Sequence, residues 1–77
     1  MKQLISLIAD VLKVDPASVH PDTGPRTESK WDSLHHVVLM VAIEETFGVQ
    51  LSPDEIVSLL TVRDIAGTLR DKGVPID

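Results

Sequence analysis

Residues 33–48 read Ser-Leu-His-His-Val-Val-Leu-Met-Val-Ala-Ile-Glu-Glu-Thr-Phe-Gly. The run has no proline, and its one glycine is the last residue, Gly48. This pattern predicts a helix from about Ser33 to Phe47, ended by Gly48 as a left-handed cap. From Val37 to Ile43 it is apolar without a break. Apolar surface therefore goes almost all the way round the helix. Such a helix is either buried on every side or offers a face to something else. A chain of 77 residues buries too little surface to enclose one of its helices completely. Part of this helix is expected at the surface, rimmed by Glu44 and Glu45, as a docking face. Leu39, Ile43 and Phe47 are expected to point inward. Leu34, Val37 and Val41 are expected to lie at least partly outward.

Working outward, the flanks complete an all-α plan. Leu4, Ile5, Ile8, Val11 and Leu12 fall at helical spacing and make one apolar stripe from Met1 to about Leu12. The connection from about Lys13 to Asp32 is long, and Pro16, Pro21, Pro25 and Gly24 forbid a continuous helix through it. Asp15-Pro16-Ala17-Ser18-Val19 suits a single helical turn capped by Asp15. Val19 and Trp31 are expected to pin the loop to the core. Ser52-Pro53-Asp54-Glu55 is a capping-box start for a short helix to about Leu60, with Ile56, Leu59 and Leu60 on its apolar side. Thr61 caps a last helix whose stripe is Val62, Ile65, Ala66 and Leu69. Arg70 and Lys72 suit its negative end, and Gly73 stops it. The expected architecture is a four-helix bundle, three main helices and one short one, with a long loop between the first and second. Residues 1–77 make a single domain.

Charge is unevenly placed. The net charge is −5. Residues 1–30 and 63–77 each balance, so the excess comes from Asp32, Glu44, Glu45, Asp54 and Glu55 in a middle stretch without Lys or Arg. Such a field repels nucleic acid and anionic membrane and attracts basic protein surfaces. The bland alternative is an acidic face kept for solubility. The chain has no cysteine, which excludes disulfides, thiolate metal sites and a cysteine nucleophile. It shows neither a signal-peptide pattern nor an apolar run long enough to span a membrane, so a cytoplasmic monomer is expected.

The candidate site is Trp31-Asp32-Ser33-Leu34, where the loop enters the second helix. First-turn N–H groups lack helical partners and the helix dipole is positive there. A phosphate esterified to Ser33 would be stabilised by both. The plain structural reading is that Asp32 or Ser33 is there only as a helix N-cap.

Further residues bear on that choice. Asp32-Ser33-Leu34 is followed by Val37, Leu39, Val41-Ala42-Ile43-Glu44-Glu45 and Phe47-Gly48-Val49, with Phe47 fourteen residues after Ser33. Leu51, Asp54-Glu55-Ile56 and Thr61-Val62-Arg63-Asp64-Ile65 continue the pattern. Over about residues 31–69 the chain resembles the acyl carrier protein family. The resemblance implies that Ser33 carries 4′-phosphopantetheine, transferred from coenzyme A by a phosphopantetheinyl transferase. That enzyme would supply the magnesium and the activation, so the carrier needs neither a catalytic residue nor a metal of its own. Asp32 would help present the serine, and Leu34 would flank the arm. The arm's thiol would hold acyl groups as thioesters, which suits a chain without cysteine. The cofactor would bring the reactive group, and the protein would bring positioning and recognition. Leu34, Val37 and Val41 with Glu44 and Glu45 would meet acyl-activating, synthase or transferase enzymes through basic docking surfaces. Fatty-acid, polyketide or related biosynthesis is the implied setting.

Three positions depart from the family pattern. Lys30-Trp31 precede Asp32 in place of Leu-Gly. His35 and His36 stand where acidic or small polar residues are frequent. Val38 stands where glutamate is common. These departures fit a specialised carrier better than a general one.

Other chemistries fit less well. Asp32, Ser33 and His36 are the residue types of a nucleophilic triad, but one exposed helix start supplies neither a pocket nor oxyanion donors. His35 and His36 diverge by about a hundred degrees on a helix, and with His20 in the loop they resemble no metal-ligand set. All three histidines read as ordinary surface or loop polarity. The main alternative is a helical interaction adaptor in which Ser33 is only an N-cap. An aminoacyl or peptidyl carrier is a third possibility, against which Asp32 argues.

Overall fold

The computed structural model describes residues 1–76. Helices α1 (Lys2–Leu12), α2 (Ser33–Phe47), α3 (Pro53–Ser58) and α4 (Val62–Asp71) follow in order, with a single 3-10 turn at Pro16–Ser18. Among the described residues there is no strand. The chain is therefore an all-α bundle of three main helices and one short one, as the sequence implied.

Each helix begins and ends for a local reason. Asp15 caps the 3-10 turn by accepting from the Ala17 N–H. Asp32 caps α2, and Gly48 closes it in the left-handed region at φ 65°. Ser52 and Glu55 complete the capping box on α3. Thr61 caps α4 by accepting from the Asp64 N–H.

The core is one cluster. Leu4, Ile8 and Leu12 come from α1, Leu39, Met40 and Ile43 from α2, and Val62, Ile65, Ala66 and Leu69 from α4. Val19 and Trp31 pin the long loop to it, both nearly inaccessible. Ile5 and Val11 of the expected α1 stripe lie only half inside.

The loop is also fastened at α4. The Thr23 carbonyl accepts from the Val62 N–H at 2.9 Å, and the Pro21 carbonyl from the Arg63 N–H at 2.9 Å. These are the first two amides of α4, which have no partner within their own helix. Asp22 pairs with Arg63 above them. Gly24 is buried in this corner, where a Cβ would meet the Leu60 carbonyl oxygen at 1.9 Å.

Two expectations for the short helix need correction. It stops at Ser58, not near Leu60. Leu59 turns into the core, while Leu60 faces out at 44% exposure. The capping box starts α3, but no glycine or αL cap extends it, and Leu59 is already in extended backbone. Lys72 lies just past α4 and pairs with Glu55 at 3.0 Å, tying the end of α4 to the start of α3.

Candidate functional site

Ser33 is the first residue of α2 and is exposed. The N-cap is Asp32, whose carboxylate accepts from the His35 N–H at 2.9 Å. That settles which of the two residues does the capping. The Ser33 hydroxyl is left at the positive end of α2, and among the described residues it makes no hydrogen bond. A serine used as a cap has its oxygen committed to a backbone amide; this one is uncommitted.

Asp32 has a second contact. The His35 ring Nδ1 lies 2.7 Å from the same carboxylate oxygen. The His35 backbone N–H, and then its ring, hold the Asp32 carboxyl below its ordinary range. Asp32 is thus an anion beside Ser33 at neutral pH.

His36 is not the surface polarity that its sequence position suggests. It is half-buried. Its Nδ1 accepts from the Trp31 indole N–H at 2.9 Å, and its Nε2 lies 2.7 Å from the Ile56 carbonyl oxygen. The two rings stack with centroids 6.2 Å apart. Both nitrogens of His36 are therefore engaged away from Ser33, and no triad forms. Sequence carries no sign of this link, because Ile56 lies twenty residues along the chain.

A groove of about 640 Å³ opens beside Ser33. Ser33, His36 and Val37 of α2 form one side, and Ile56, Val57 and Leu60 the other. Pro25 and Trp31 reach it from the loop. The groove is mostly apolar.

The outer face of α2 continues from this groove. Leu34, Val37 and Val41 are 69%, 56% and 48% exposed, whereas Leu39 and Ile43 are fully buried. Phe47 is half-buried against the core. Val38 also lies outside, and Met40 inside; the unbroken apolar run by itself does not distinguish them. Glu45 is exposed. Glu44 is half-buried, and its carboxylate accepts from the Leu51 N–H at 2.8 Å, so it also bridges α2 to the segment before α3.

Among the described residues, no three His, Cys, Asp or Glu side chains gather as a metal site. No described helix is long and apolar enough to cross a membrane.

Comparison with known proteins agrees with this geometry. A family model described as "Phosphopantetheine attachment site" matches residues 2–69. An acyl carrier protein of Thermosynechococcus vestitus is 35% identical over 72 residues, covering 94% of this chain and 89% of that one. The acyl carrier protein MbtL of Mycolicibacterium paratuberculosis is 37% identical, covering 87% of this chain and 75% of that one. An acyl carrier protein of Rickettsia typhi is 31% identical, covering 92% and 83%. A match over nearly the whole chain, joined to this helical order, places the protein: it belongs to the acyl carrier protein family, whose members bear phosphopantetheine and are carriers rather than enzymes.

Proposed function

We propose that Ser33 is the residue that bears 4′-phosphopantetheine, within a single carrier domain spanning residues 1–77. The observation that carries this reading is the division of labour at the start of α2. Asp32 does the capping, and the exposed Ser33 hydroxyl beside it is spent on nothing.

The surroundings fit such a group. The first-turn amides and the positive end of the α2 dipole favour a phosphodiester anion on Ser33. The apolar groove next to it gives an attached chain a surface to lie against. When bound, phosphopantetheine supplies the thiol that this cysteine-free chain lacks, and with it the capacity to hold acyl groups as thioesters. The protein's own residues do the rest. Asp32 fixes the turn and places a negative charge beside the serine. Leu34, Val37 and Val41 offer partners a contact surface, and Glu45 and Asp54 stand exposed to meet basic groups.

Fatty-acid, polyketide or related biosynthesis is the setting. The three departures at Trp31, His35-His36 and Val38 favour a specialised carrier. Val38 is exposed on the docking face, so that face is more apolar and less acidic than a general carrier's. Cognate partners should then meet it with an apolar surface and a limited basic rim.

The test is intact mass. Purified protein is incubated with coenzyme A and a broad-specificity phosphopantetheinyl transferase, alongside Ser33→Ala. Wild type should gain the mass of one phosphopantetheine group and the variant none. An unchanged wild-type mass, or modification of the variant, would overturn the assignment and favour the adaptor reading.

A further inference from the structure

His36 makes more of its two ring nitrogens than a surface histidine does. The indole N–H of Trp31 can only donate, so the His36 Nδ1 that meets it at 2.9 Å must carry no proton. The ring's one proton is then on Nε2, from which it donates to the Ile56 carbonyl at 2.7 Å. The contacts thus fix the neutral Nε2–H tautomer.

The acceptor matters as much as the donor. Ile56 lies in the last turn of α3, where carbonyls have no acceptor role within the helix. His36 supplies from α2 the partner that α3 cannot supply itself. Helix α3 depends on such help. It has six residues, none of them buried, and a helix so short does not hold alone. Its first turn is held by the capping box and by Lys72 on Glu55. Near its end, the holds are Leu59 in the core, Ile56 half-buried against it, and the His36 bond.

The groove beside Ser33 runs between the two elements that this bond joins. Ser33 and Val37 line one side, Ile56 and Val57 the other, and His36 bridges them. We propose that His36 is a positioning residue for the carrier site: as a neutral imidazole it tethers α3 to the Ser33 turn and sets the shape of the groove that the serine presents to the enzyme modifying it. The second half of that statement rests on Ser33 being the attachment point. The tether itself does not.

Two near-isosteres separate the two bonds. Asparagine places an amide oxygen near the Nδ1 position and is too short to reach Ile56. Glutamine places its amide NH₂ near the Nε2 position and loses the Trp31 contact. His36→Phe keeps a ring against Trp31 and loses both. The experiment is amide and indole hydrogen exchange by NMR on the full chain for wild type and these three variants, with thermal melts to confirm folding. In His36→Phe the α3 amides of Ile56, Val57 and Ser58 should exchange about tenfold faster, as expected for one such hydrogen bond lost, while α1 amides stay as they were. His36→Asn should loosen α3 and keep the Trp31 indole N–H protected. His36→Gln should do the reverse. With the transferase, His36→Phe should raise KM severalfold and leave kcat nearly unchanged, and His36→Gln should restore much of that KM. Unchanged α3 exchange in His36→Phe, equal loosening of α1 and α3, or indistinguishable Asn and Gln variants would overturn the tether. Normal transferase kinetics in His36→Phe despite a loosened α3 would overturn the positioning role. A wild type that no transferase modifies would remove the Ser33 reading, and the exchange pattern would still decide the tether.

Discussion

Helices α2 and α4 both feed the core, but they place their apolar residues differently. In α4, Val62, Ile65, Ala66 and Leu69 form one stripe, and all four are buried. In α2, Leu39, Met40 and Ile43 are buried, while Leu34, Val37, Val38 and Val41 are 47–69% exposed. The first pattern needs nothing beyond the bundle to explain it. The second holds more apolar surface than the bundle can cover. The surplus lies on the same helix as Ser33, at its outer face. The α4 stripe serves the shared core alone; on the proposed reading, the excess on α2 serves recognition.

Truncating one side chain from each helix breaks this contrast most sharply. Leu69→Ala removes a fully buried leucine and should cost about 3 kcal/mol. In a domain whose whole margin is only about 5 kcal/mol or a little more, that brings it close to unfolding. Val41→Ala, on the outer face, should change stability by no more than about 0.5 kcal/mol and should weaken partner binding instead. Urea unfolding measures both. A Val41→Ala variant as damaged as Leu69→Ala would show that the outer face of α2 serves the fold after all.

Next in size is the corner that joins the loop to α4. Gly24→Ala drives a methyl group into the Leu60 carbonyl oxygen, 1.9 Å from where its Cβ would sit. Backbone on both sides leaves little room to give, so a loss of about 2 kcal/mol is expected. The same unfolding measurement checks it. A neutral Gly24→Ala would mean that the loop carries less of the bundle than its bonds to Val62 and Arg63 suggest.

The start of α2 sharpens the contrast at single-residue scale. Asp32→Ala removes the cap and should lower the melting temperature by a few degrees. Ser33→Ala, one residue on, should leave it within scatter, because its hydroxyl holds no backbone amide among the described residues. Equal losses from both would return Ser33 to a structural role.

Much of this was legible in the sequence because it is local. Ser52-Pro53-Asp54-Glu55, Thr61 with Asp64, and Gly48 each act within one helical turn, and all act as read. The outward set Leu34, Val37 and Val41 followed from an apolar run too long for a small core. What escaped is what the chain makes at a distance. The His36–Ile56 bond, the approach of Gly24 to Leu60 and the Glu44–Leu51 bond depend on how α2, the loop and α3 come together. A histidine next to a histidine, or a glycine between prolines, looks the same whether it touches such a partner or not. Leu59 and Leu60 show the limit within one dipeptide. Both are leucine, and only the end of α3 at Ser58 turns one in and the other out.

The smallest expected effect lies in the acid limb of stability. The Ser52 N–H, and after it the Lys72 ammonium at 3.0 Å, hold the Glu55 carboxyl below the ordinary carboxylate range. The Asp32 carboxyl is lowered in the same direction by His35. A carboxyl lowered on folding adds stability that is fully present above its unfolded value, about pH 4. That contribution is lost as pH falls through the depressed folded value. Glu55→Gln removes one such contribution at its source. The variant should be slightly less stable than wild type at neutral pH, and the gap should close below about pH 4. Urea midpoints from neutral pH into the acid range would show the two curves converging. Because Glu55 anchors the start of α3 and Lys72 the end of α4, convergence would place the acid sensitivity at that junction. Parallel curves would show that the Glu55 charge adds nothing through either the Ser52 N–H or Lys72, leaving α3 held at its start by the Ser52 side-chain cap alone.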